Sequence, residues 1–335
     1  MKTLHRFNFS SVRVALLALS LPLAIACGDS SGPGGSGGSA GAGGDAAGGA
    51  GGTPLIEPQG ACPAADTQVG RFVVERQPQF GVVQGTVSEG VVPTSIPDVL
   101  SEDGTCRVLK RRTLSCIPAC TGAETCGEGG QCIPFPRQIS VGDVSITGLT
   151  KPTEMSPQQP GNTYFAPGAD NPPFTPGSAV VLTATGADPI AGFQLVGRGS
   201  TPLTDSPTWV LEHGVALSVT WPASSDTDTQ VEIDLSIDQH GLSPLSLSCV
   251  FDDTGSAEIP SALVDQLIDS GVSGFPNGRI YRRTADHVDI DPGCVELLVG
   301  SPVSANVSVK GHTPCMDSTD CTPPETCNLD LEQCE

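Results

Sequence analysis

Aromatic side chains are scarce in this chain: two tryptophans, two tyrosines and ten phenylalanines make up 4% of its 335 residues. A core must therefore be built mostly from Val, Leu and Ile, and few rings remain for stacking on bases or sugars. Basic charge is also short, with 16 Lys and Arg against 37 Asp and Glu, for a formal charge of −21. So acidic a chain is repelled by phosphate backbones, which argues against nucleic acid as a partner, and charge would not hold it to anionic lipid. Histidine occurs five times, and no H-E-x-x-H, Walker loop or dinucleotide fingerprint is present. No run of 18 apolar residues occurs, so no transmembrane helix is expected. The chain is rich instead in glycine (41) and proline (30), and it carries thirteen cysteines. These are the turn formers and staples of a loop-rich β protein in an oxidising compartment.

The first 26 residues have the layout of an export signal. Lys2, Arg6 and Arg13 precede an apolar run over residues 14–26, whose 13 residues are too short to span a bilayer, and Cys27 follows. A cysteine at that place is the acylation site of a bacterial lipoprotein signal. Ala24-Ile25-Ala26 also reads as an ordinary A-x-A cleavage site at the same bond, and Leu23 lies four residues before Cys27 rather than the usual three. Parity favours the lipid: setting Cys27 aside leaves twelve cysteines, an even number that can pair completely. The expectation is removal of 1–26 and membrane attachment through acyl chains on Cys27. That removes three positive charges and moves the formal charge from −21 to −24. Gly28, rather than an aspartate, follows Cys27, which by analogy with enteric bacteria points to the outer membrane or cell surface. Residues 28–52 hold 13 glycines and almost no apolar side chains, so residues 27–59 read as a disordered Gly/Ser tether. As a flexible coil this stretch would reach about 25–30 Å.

Beyond the tether, Cys116, Cys120, Cys126 and Cys132 enclose C-T-G-A-E-T-C, and Cys315, Cys321, Cys327 and Cys334 enclose C-T-P-P-E-T-C. These read as two copies of one four-cysteine module, spanning 114–137 and 312–335. Each is too short to bury a core and is expected to be stapled by two disulfides. A zinc site is the rival reading, opposed by the lack of a C-x-x-C pair and by the oxidising compartment. Between the modules, 138–311 reads as an antiparallel β-sandwich. Val231, Ile233, Leu235 and Ile237 alternate with Glu232, Asp234, Ser236 and Asp238, and 217–221, 245–251 and 303–309 alternate similarly. Weaker strands are expected near 139–147, 179–185, 193–196, 279–283 and 294–299. One short helix begins at Pro260, places Leu263, Val264, Leu267 and Ile268 on one face and closes at Gly271. Residues 60–113 read as a smaller, separate β-rich unit. The four remaining cysteines, Cys62, Cys106, Cys249 and Cys294, allow three pairings. Proximity in sequence suggests Cys62–Cys106 and Cys249–Cys294.

This layout resembles the cysteine-rich lipoproteins that myxobacteria and their relatives encode in large families. The resemblance spans residues 1–335 and rests on the lipobox, the Gly tether, the 116–132 cysteine spacing, V-G-D-V-S-I-T-G-L at 141–149 and C-V-F-D-D-T-G-S-A-E-I-P at 249–260. It implies an architecture and carries no catalytic or ligand residues.

Candidate chemistry is sparse, and no cofactor is expected. His213, His240 and His287 fall beside Gly or Asp in apparent turns or strand edges. His240 or His287 could be combined on paper with a serine and an aspartate, but no nucleophile elbow supports it. Asp286, Asp289 and Asp291 are weak candidates for calcium, as are the pairs Asp226/Asp228 and Asp252/Asp253, though none has EF-hand spacing. Trp209 and Tyr281 would line a carbohydrate groove if both were exposed on one concave face. The expected function is a lipid-anchored, non-enzymatic envelope or surface protein that binds a protein or glycan partner. A carbohydrate-binding lipoprotein is the alternative, and a hydrolase the third reading.

Overall fold

A computed structural model describes residues 57–226, 228–238 and 245–335. The N-terminal part of this region supplies β1 (Gln68–Arg76), β2 (Gly81–Val87), β3 (Asp98–Asp103) and β4 (Cys106–Lys110). The first cysteine module follows as a hairpin of β5 (Glu124–Cys126) and β6 (Cys132–Pro134). Next come β7 (Val144–Thr147), β8 (Thr153–Met155), β9 (Tyr164–Phe165), β10 (Ala179–Ala187), β11 (Ile190–Arg198), β12 (Thr208–Leu211) and β13 (Leu217–Thr220). The remainder comprises β14 (Gln230–Ser236), β15 (Leu245–Asp252), β16 (Ser256–Ile259), helix α1 (Ser261–Asp269), β17 (Asn277–Asp289) and β18 (Cys294–Val309). The second module closes on β19 (Cys327–Asn328) and β20 (Gln333–Cys334).

The fold is all-β apart from α1 and one 3-10 turn. Its backbone is a sheet in the order β3-β4-β15-β14-β17-β18-β1-β2-β9, with β12 also pairing to β18. Most pairs are antiparallel, but β1 and β12 run parallel to β18, so the sheet is mixed rather than antiparallel throughout. Residues 60–113 make no sheet of their own. Their four strands divide between the two sides of the large sheet, β1 and β2 beyond β18, β3 and β4 beyond β15.

The hairpin of β17 and β18, 13 and 16 residues long, is shared by two hydrophobic cores. In the first, Val231, Ile233 and Leu235 of β14 and Leu247 of β15 pack with Trp209, Leu211, Val219, Trp221 and Ile259. Val231, Ile233 and Leu235 are at most 1% exposed while Glu232, Asp234 and Ser236 face outward, the period of two that a half-buried strand requires. Each such side chain contributes roughly 1.5–3 kcal/mol by leaving water. Helix α1 caps this core with Leu263, Val264 and Leu267, and its chain turns away at Gly271, whose φ of 109° is open to glycine. In the second core, Phe72, Val74 and Val83 of β1 and β2 and Val295, Leu297 and Val299 of β18 face the four-stranded sheet β11-β10-β7-β8 through Val144, Ile146, Leu182 and Leu195.

All twelve cysteines of the described residues are paired, but not all as proximity suggested. Cys62 bonds Cys294 and Cys106 bonds Cys249. Cys106 and Cys249 sit directly opposite each other on β4 and β15, and Gln68 pairs with Cys294 where β1 meets β18. Strand register sets the partner of Cys106, and the segment leading into β1, whose Thr67 carbonyl accepts from the Cys294 amide at 2.7 Å, brings Cys62 to Cys294. In each module the first cysteine bonds the third and the second bonds the fourth. Residues 57–59, assigned to the tether from sequence, are already attached: Glu57 pairs with Arg198, and the Gln59 amide donates to Asp286 at 2.8 Å.

Candidate functional site

Trp209 and Tyr281 do not share an exposed face. Trp209 is 3% exposed and Tyr281 1%. Trp209 packs in the first core with Ile280, the residue next to Tyr281 on β17. Neighbours on a strand point to opposite faces, so the two rings lie on opposite sides of the sheet. Trp209 lies over Gly278, where a Cβ would come within 2.7 Å of the indole. Tyr281 lies across Gly300 of β18 and packs with Ala285 and Leu298. Its hydroxyl has no hydrogen-bond partner. Burial, and then the charge of Glu75, pushes its ionisation well above the ordinary tyrosine value. Neither ring is placed to stack on a sugar.

The histidines are equally dispersed. His287 Nδ1 lies 3.0 Å from the Gly60 carbonyl, and His312 Nε2 lies 2.8 Å from the Gly274 carbonyl. His213 is exposed beside Asp265 and Asp269, at 3.4 and 3.6 Å. Among the described residues no histidine is hydrogen-bonded to a serine; His240 and Cys27 lie outside them. The calcium candidates fare no better. Asp286 is buried, with one oxygen accepting from the Gln59 amide and the other from the Val196 amide at 2.7 Å, while Asp289 and Asp291 are exposed. The only described clusters with ligand atoms close enough for an ion are cysteines already in disulfides. Asp228 pairs with Arg198. Burial alone would raise the Asp226 carboxyl, but the Thr201 amide at 2.5 Å holds it below the usual carboxylate range.

The buried polar site that sequence reasoning missed is built around Arg282 and Asp253, side chains 1% and 4% exposed with Nε 2.7 Å from Oδ2. Asp253 also accepts from Trp221 Nε1 at 2.7 Å and Thr229 Oγ1 at 3.0 Å. Arg282 donates to the Thr201 carbonyl at 3.0 Å and to the Pro222 carbonyl. The network ties the loops after β11 and β13 to the central strand. Only the F-D-D at 251–253 and R-R at 282–283 could have signalled it, and neither shows which charge is buried. On the other face of β17, Arg279 and Arg283 pair with Glu232, and Arg279 also with Asp234 at 2.7 Å. Burial would lower Arg279, yet Asp234 and Glu232 keep it above its ordinary value. These networks fix strands.

One concave feature is a groove of about 1030 Å³ where five segments meet: the loop after β2, the exit from the first cysteine module, the turn before β9, and the hairpin turns of β10–β11 and β17–β18. Phe135, Ile139, Ile190 and four proline rings make its apolar walls. Its floor is pinned to β2, with the Ile139 amide on the Val87 carbonyl at 2.8 Å and the Glu89 amide on the Arg137 carbonyl at 2.9 Å.

No family model matches the chain, and no curated protein does. Among solved structures, the FN1–FN3 domains of chicken CNTN1 align with 66% of this chain and 70% of that one, at 9% identity and a TM-score of 0.16. A likeness that slight says nothing about function. No helix among the described residues is long and apolar enough to cross a membrane.

Proposed function

We propose that the chain is a lipid-anchored, non-enzymatic envelope protein, carried outside the cytoplasm on its glycine tether and engaged by another component of the cell surface. Cysteine pairing carries this reading. Six bonds take up all twelve cysteines of the described residues, so Cys27, at the position where a lipoprotein signal acylates, is the one cysteine of the sequence outside these pairs. Disulfides at this density belong to oxidising compartments. The buried and half-buried charged groups Glu232, Asp253, Arg282, Arg283 and Asp286 are drawn into ion pairs and backbone contacts that hold strands together, which suits a display scaffold. Palmitate labelling of the wild type and of Cys27→Ala tests the anchor. Labelling confined to the wild type is expected, and equal labelling of both would overturn it. The carbohydrate reading loses its two carriers, because Trp209 and Tyr281 are buried on opposite faces.

A further inference from the structure

We infer that the proline-walled groove is the docking site for an extended segment of another protein that carries apolar side chains and at least one lysine or arginine. This rests on the proposed role as a surface interaction module and names the partner that role would take. Four proline rings, Ile139 and Ile190 give the walls an apolar character, and Phe135 in the lining is 47% exposed, an aromatic available to anchor a partner side chain. The charges at the rim are unbalanced. Arg137 is cancelled by Glu89, with Nε 3.1 Å from Oε1 and Nη2 3.0 Å from Oε2. Asp188 and Asp291 are exposed and have no hydrogen-bond or ion-pair partner among the described residues. Two free carboxylates beside an apolar wall favour an occupant with a cation set next to apolar groups. The same charges disfavour nucleic acid and anionic lipid. A second copy of this chain is disfavoured by its own formal charge of −21. Because the groove is open and formed by five separate segments, it suits a strand-like segment better than an enclosed small molecule.

Selection of random dodecapeptides displayed on phage, using the full chain as bait, tests this directly. Peptides rich in Lys or Arg beside apolar residues should emerge. Their affinity should fall at least tenfold with Phe135→Ser and several-fold with Asp188→Asn combined with Asp291→Asn. All three positions are exposed, so unchanged thermal melts should accompany these losses. The inference is overturned if no peptide is enriched over the Phe135→Ser bait, or if acidic peptides are selected. It is also overturned if the selected peptides bind both variants as well as wild type. Dimerisation lost in Phe135→Ser would assign the groove to a second copy, and competition by a synthetic 28–56 peptide would assign it to the tether; either outcome rejects the inference. None of these results depends on acylation, so failure here leaves the palmitate test of the anchor standing, and the reverse.

Discussion

The cysteine modules and the sheet that separates them are both stapled, but the staples do different work. In the modules the bonds join residues 10 to 13 apart and replace a core that so few residues cannot build. In the sheet they join residues 143 and 232 apart, one between the paired strands β4 and β15 and one between the segment before β1 and the start of β18. Short loops make a fold possible locally, while long ones mainly restrict the unfolded chain. A module should therefore depend wholly on its bonds, whereas the sheet should lose stability without losing its shape.

Removing a long-range bond breaks that comparison most sharply. Converting Cys106 and Cys249 to Ala together should cost about 4–5 kcal/mol, while converting Cys120 and Cys132 to Ser should shift global unfolding by under about 1 kcal/mol. Denaturant titration followed by fluorescence reads this, because Trp209 and Trp221 both report the first core. Hydrogen exchange over 116–132 should nevertheless collapse in the second variant alone. Equal midpoints for both variants would mean that the long bonds add nothing.

A buried charge should rival a disulfide in the sheet. Asp253→Asn leaves Arg282 uncompensated at 1% exposure and should cost about 3–5 kcal/mol by the same titration. Packing comes next. Gly278→Ala forces a Cβ to 2.7 Å from the Trp209 ring and should cost about 1–3 kcal/mol, whereas Gly90→Ala, whose nearest neighbour is 3.9 Å away, should be close to neutral. The smallest effect is electrostatic. The folded Asp226 carboxyl is held below the ordinary aspartate value of 3.8, so its contribution is full above that pH and disappears as the pH falls through the folded value. The difference in melting temperature between wild type and Asp226→Asn should be largest at neutral pH and shrink below pH 3.8.

What could be read from sequence follows the same divide. Local patterns were legible: the alternation at 231–237, the helix after Pro260 and the two cysteine modules each depend on residues near one another. β17 was faint because it is buried on both faces, and its Arg282, Arg283 and Asp286 find partners 29 to 227 residues away. The same distance hid the Cys62 and Cys106 partners and made 60–113 look separate, since β1 and β4 join the sheet through residues far along the chain. Trp209 and Tyr281 were plausible as a pair only until the pleat put neighbouring residues on opposite faces. The groove had no signal of its own, because its lining comes from five segments spread between Glu89 and Pro292.

Peptide mass spectrometry of the membrane-extracted protein, digested without reductant, tests the account most directly, since one experiment reads both the anchor and the staples. The account predicts an acylated N-terminal peptide beginning at Cys27, cross-linked peptides joining Cys62 to Cys294 and Cys106 to Cys249, and first-to-third and second-to-fourth bonds in each module. An unmodified Cys27, a Cys62–Cys106 bond or several free thiols in the folded protein would contradict it.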